Sequence, residues 1–104
     1  MNFSEQALNL GLELEDYKSL VELFLQTTSD DLKTLEAAIA EKDTSRVMQV
    51  SHHIKGAAIN LELHEIAAAA KRAEQCARQD DLDEAFQSAQ TIESELSAIA
   101  RELG

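Results

Sequence analysis

The chain of 104 residues has no proline, no tryptophan, three glycines and one cysteine. Without proline and with little glycine, few positions can break a helix. The single thiol, Cys76, cannot close an internal disulfide, so no disulfide framework exists and a reducing cytosol is compatible with the chain. Positive charge is also scarce: 9 basic residues stand against 20 acidic ones, a formal net charge of -11. That balance argues against a nucleic-acid partner, which needs a basic face for the phosphates. It argues equally against docking on an anionic membrane surface. No apolar run approaches the roughly 20 residues needed to span a bilayer, so no membrane insertion is expected. The stretch Met1-Asn2-Phe3-Ser4-Glu5 has neither the basic start nor the apolar run of a secretory signal. The expectation is one small, acidic, cytoplasmic domain over residues 1–104, since two cores in this length would be too small to stand alone, and a single compact unit of this kind suggests a monomer.

The abundant residues are Ala, Leu, Glu and Gln, all good helix formers, and β-branched residues never alternate over a strand's length. The pattern predicts an all-α chain. A short first helix spans Ser4 to Leu10, with Gly11 as a left-handed stop. The second spans Glu15 to Glu41, with Tyr17, Leu20, Val21, Phe24, Thr28, Leu32, Leu35 and Ile39 on one face. Asp43 or Thr44 caps the third, Ser45 to Leu61, which turns Val47, Val50, Ile54, Ala57, Ala58 and Leu61 inward. The fourth, Leu63 to Arg78, buries Leu63, Ile66 and a row of alanines. Asp81 and Glu84 have capping-box spacing ahead of the last, Leu82 to Leu103, whose inward set includes Ala85, Phe86, Ile92 and Leu96. Four long amphipathic helices with short connections predict an antiparallel up-down-up-down four-helix bundle, with the short N-terminal helix as a lid over one end.

One segment does not follow from folding alone: Met48-Gln49-Val50-Ser51-His52-His53-Ile54-Lys55-Gly56-Ala57-Ala58-Ile59. A glycine inside a helix costs about 1 kcal/mol against alanine, and Gly56 sits mid-helix. With Val47 as the origin and about 100° per residue, the core set clusters between about 280° and about 20°. His52 then falls at about 140°, Lys55 at about 80° and Gly56 at about 180°. Met48 falls at about 100° and Ile59 at about 120°. His52 therefore points away from the core, with Lys55 and Gly56 as its i+3 and i+4 neighbours. An outward imidazole is a nucleophile. A lysine one turn on can neutralise a phosphoryl group placed upon it, and a bare glycine lets a second protein approach. Met48, Gln49 and Ile59 would give that partner a surface to cover. His53, at about 240°, lies at the edge of the core face with Lys55 turned elsewhere, so His52 is preferred.

At these residues the sequence resembles the histidine-containing phosphotransfer (HPt) domains of bacterial multistep phosphorelays, whose signature is A/S-H-x-x-K-G followed by small residues. Here it reads Ser51-His52-His53-Ile54-Lys55-Gly56-Ala57-Ala58. The Val21 to Phe24 pattern, the Asp43 break and Asn60 extend the resemblance over most of the chain. Two positions depart from it. Glu62 stands where a glycine is usual, which predicts a differently shaped turn, and Ala73 of the Ala73-Glu74 pair replaces a larger apolar residue. The resemblance implies that His52 is the phosphorylated residue, Lys55 steadies the phosphoryl group and Gly56 gives access. Glu74 matches a position whose side chain orients the imidazole; accepting from Nδ1–H, it would leave Nε2 free as the nucleophile. It also implies a carrier and not a kinase, with no ATP site and no cofactor of its own. The implied partners are response-regulator receiver domains, which supply Mg²⁺, and a hybrid sensor histidine kinase.

Blander readings compete. His52, His53 and His64 could be taken for metal ligands, but adjacent helical histidines diverge by about 100° and no H-x-x-x-H pair completes a site. Cys76 reads as a half-buried hydrophobe and the acidic clusters as caps and solvated faces. The main rival is a helical module that docks a partner with His52 inert.

Overall fold

The computed structural model describes residues 2–104 as five helices, with no strand among them. They are α1 (Phe3–Asn9), α2 (Leu14–Ala40), α3 (Thr44–Asn60), α4 (His64–Arg78) and α5 (Leu82–Leu103). Each begins within two residues of the start expected from the sequence. Short polar side chains cap three of them. Asn2 Oδ1 accepts from the Glu5 N–H at 3.0 Å, Asp43 from Arg46 at 3.1 Å and Asp81 from Glu84 at 3.2 Å. Each bond satisfies an amide that the first helical turn leaves without a partner. Of the two candidate caps before α3, Asp43 is the one that serves; Thr44 is already helical.

The ends of α1 to α4 share one geometry. In α2, the Lys42 N–H donates to the Ile39 carbonyl and the Asp43 N–H to Ala38. The same pair of bonds closes α1 through Gly11 and Leu12, α3 through Glu62 and Leu63, and α4 through Asp80 and Asp81. This is the Schellman arrangement, which requires a left-handed residue just past the helix. Gly11 supplies it at φ 69°, as expected, but Lys42, Glu62 and Asp80 do so at 58°, 58° and 59°. The turn at Glu62 is therefore not reshaped by the loss of glycine. The larger residue is held in the backbone conformation a glycine would take, because the two hydrogen bonds fix it.

Helix α2 packs on α3 and α5, and α4 packs on the same two, so the four long helices form a closed ring. Its centre is filled by Tyr17, Val21, Leu35, Val47, Ile54, Leu63, Ile66, Ile92 and Ile99, all essentially inaccessible. Alanines 67, 69, 70, 73 and 77 bring α4 close to its neighbours. Helix α1 covers one end, with the Phe3 and Tyr17 rings 6.0 Å apart and Gln6 Nε2 donating to the Glu62 carbonyl at 2.8 Å. The Tyr17 hydroxyl donates to the Leu61 carbonyl at 2.6 Å, tying α2 to the end of α3. Burial, aided by the Glu62 charge, pushes that phenol up to about 12.

Three apolar residues lie further out or further in than their helical faces suggest. Leu20 is 42 % exposed and Phe86 43 % exposed, each at the margin of its stripe. Leu20 lines a shallow apolar groove between α2 and α3 with Leu23, Phe24, Ala57 and Leu61. Phe86 lies with Ile39, Lys42 and Leu82 where α2 ends beside α5. Met48 moves the other way: the helical wheel points it outward, but it packs half-buried against the core. A wheel with one buried arc underestimates α3, which is flanked on both sides by helices. Val50, Ala57, Leu61, Ile39, Leu82 and Leu103 are half-buried margins of the same core. No helix among the described residues is long and apolar enough to cross a membrane.

Candidate functional site

The face of α3 that turns from the core carries the segment singled out in the sequence. Val47, Ser51, Ile54 and Ala58 go inward, leaving Gln49, His52, His53, Gly56, Ile59 and Asn60 as a continuous exposed strip. The His52 side chain is 67 % exposed. Its Nδ1–H donates to Oε2 of Glu74 on the neighbouring α4 at 3.1 Å. A carboxylate only accepts, so this bond places the ring proton on Nδ1 and leaves the Nε2 lone pair facing solvent.

Lys55 lies one turn along α3 and also turns toward α4. Its Nζ donates to the other carboxylate oxygen, Glu74 Oε1, at 2.9 Å. Arg78, one turn further along α4, approaches Oε2 at 3.9 Å. Glu74 is thus a buried carboxylate, its side chain 11 % exposed, with both oxygens satisfied by charge-assisted or polar donors. Burial alone would push its carboxyl up. The Lys55 hydrogen bond and charge, followed by His52, outweigh that and hold it below the ordinary carboxylate value.

His53 has a different setting. Its Nε2 faces Oδ2 of Asp31 on α2 at 3.5 Å, so that nitrogen is directed at an anion. A Cβ built on Gly56 would meet nothing within 4 Å, so no contact inside the chain requires the glycine. Ile59 is 54 % exposed and Gln49 is open, whereas Met48 belongs to the core margin. The structure thus brings His52, Lys55 and Glu74 together, sets Gly56 and Ile59 on the same open strip, and withdraws Met48. Sequence reading missed Arg78 and the groove-lining pair Leu20 and Leu23. Arg78 was signalled only by its i+4 spacing from Glu74, which has meaning once Glu74 is known to face His52. No three His, Cys, Asp or Glu side chains among the described residues converge to hold a metal ion.

Fold and site together define an all-helical bundle that presents a solvent-facing imidazole with a buried carboxylate behind it, an arrangement suited to a reaction with a second macromolecule. The family model for the Hpt domain matches residues 19–102, and the chain belongs to that family. Hpt domains are histidine phosphotransfer carriers of phosphorelays, work with receiver domains, and are not kinases with ATP sites of their own. Neither the curated proteins nor the solved structures yielded a match.

Proposed function

We propose that the chain is a phosphorelay carrier that accepts a phosphoryl group on His52 from a receiver aspartate and passes it to another. The observation that carries this reading is the Nδ1–H bond from His52 to Glu74, which presents Nε2 to solvent. Nε2 attacks the phosphorus in line. The P–Nε2 bond forms as the P–O bond to the aspartate breaks, and the aspartate leaves as a carboxylate with that electron pair. The ring keeps its Nδ1 proton and becomes a phosphoimidazolium, whose positive charge Glu74 faces directly. Return to a second aspartate is the reverse step. Mg²⁺ and most of the charge stabilisation come from the receiver, and this domain contributes positioning.

Receivers cover the strip of Gln49, Gly56 and Ile59, and reach toward the groove at Leu20 and Leu23. Lys55, bonded to Glu74, keeps that carboxylate ionised and facing the ring. The three-residue connections between the long helices favour an up-down-up-down course in a single cytoplasmic domain that acts as a monomer. The test is transfer from a phosphorylated receiver. We expect His52→Gln to abolish acid-labile labelling and His53→Gln to retain it. Binding of the receiver with no labelling of the native chain would instead make it a docking module.

A further inference from the structure

Two cations approach the candidate phosphoacceptor, and the structure commits them differently. The Lys55 ammonium is 23 % exposed and bound at 2.9 Å to a carboxylate that is itself buried. To reach a phosphoryl group on Nε2 it would have to leave Glu74 Oε1 without a partner, and an unpaired buried charge is strongly unfavourable. The Arg78 guanidinium is 67 % exposed and only 3.9 Å from Oε2, an oxygen already serving the His52 ring. Releasing it leaves no donor unsatisfied, since an exposed guanidinium is otherwise hydrated and such pairs contribute little. Sharing that oxygen holds the guanidinium within about 7 Å of Nδ1, inside the roughly 8 Å screening length at physiological salt. Its flexible stem and planar fork of donors suit the oxygens of a phosphoryl group.

We infer that Arg78 is the residue that contacts the phosphoryl group on His52, while Lys55 is a positioning residue that holds Glu74 against the ring. This deepens the phosphocarrier reading and rests on it. Before phosphorylation, Lys55 and Glu74 compensate each other and Arg78 is the spare positive charge. After it, Arg78 turns from Oε2 to the phosphoryl oxygens. Glu74 then faces the imidazolium without a competing guanidinium, and Lys55 stays in place.

The probe is phosphoramidate acting on the full chain. His52 Nε2 attacks phosphorus, the P–N bond of the protonated donor breaks, and ammonia departs with the electron pair. Labelling that persists in His52→Gln would overturn the phosphocarrier site itself. With labelling confined to His52, the readouts are the labelling rate and the pH midpoint of the phosphohistidine ³¹P shift. A guanidinium beside the phosphoryl group favours its dianion, so Arg78→Gln should raise that midpoint by about half a unit and slow labelling roughly fivefold, a modest effect because the site is open to water. Arg78→Lys should restore part of both. Lys55→Gln should leave the midpoint in place and lower thermal stability, whereas Arg78→Gln should leave thermal stability unchanged. A midpoint that moves in Lys55→Gln and not in Arg78→Gln would overturn the assignment and return the phosphoryl contact to Lys55.

Discussion

Glu74 links three side chains from two helices, so its ionisation is felt in both the site and the fold. Its carboxyl is held below the usual range when folded, against 4.5 for an unperturbed group. Between those values the unfolded chain binds the proton more readily than the folded one, so stability rises with pH through that window. The contribution is complete above about 4.5 and is lost as the pH falls through the folded value. Urea unfolding of native protein and Glu74→Gln from neutral to acid pH should show this as a gap between the two that narrows on acidification. A gap that stays constant would mean that the carboxylate charge contributes nothing. At neutral pH the variant should be less stable by about 1–3 kcal/mol, since Lys55 loses its ionic partner while still partly exposed. The outward His52 was legible because a wheel needs only the core stripe and a fixed angle. Met48 was not, because its burial depends on a neighbouring helix that the wheel does not contain. Ser51 differs: at about 40° on the same wheel it adjoins the core arc, and it lies fully buried with its hydroxyl unpartnered.

The five helices were legible because amphipathic spacing, good helix formers and acidic caps agree over long segments. Their terminations were less so. Glycine marks a left-handed stop, and only Gly11 carries that mark; Lys42, Glu62 and Asp80 adopt the same φ with no compositional sign. What forces them is economy of connection. Asp43, Leu63 and Asp81 each donate the closing bond of one helix and stand as N-cap of the next, so a three-residue link leaves no other route. A left-handed L-residue costs roughly 1–2 kcal/mol, which glycine avoids. Glu62→Gly should therefore stabilise the protein by about 1 kcal/mol, offset in part by the greater freedom of the unfolded chain. The Gln6 bond reaches the backbone carbonyl of residue 62, so it survives the change. Thermal unfolding should shift upward by roughly 4 °C for a domain of this size. An unchanged or lower midpoint would show that the Glu62 side chain gives back more than its backbone costs.

Across the whole molecule, the charge count sets a field that no single site reveals. A net charge of -11 lies on a bundle only 41 Å by 22 Å by 17 Å. Among the described residues, the ion pairs set out above converge on Glu74, apart from His53 with Asp31. Self-repulsion at that density opposes the compact state, and salt screens it. The Lys55–Glu74 contact is largely withdrawn from solvent and is screened far less. Raising sodium chloride from about 0.01 M to about 0.15 M shortens the screening length from roughly 30 Å to roughly 8 Å, below every dimension of the bundle. The unfolding temperature should then rise by several degrees and flatten at higher salt, since only short-range repulsion is left to remove. A scanning calorimetry series at constant pH checks this. A midpoint that falls with salt would mean that surface attraction outweighs repulsion despite the charge imbalance.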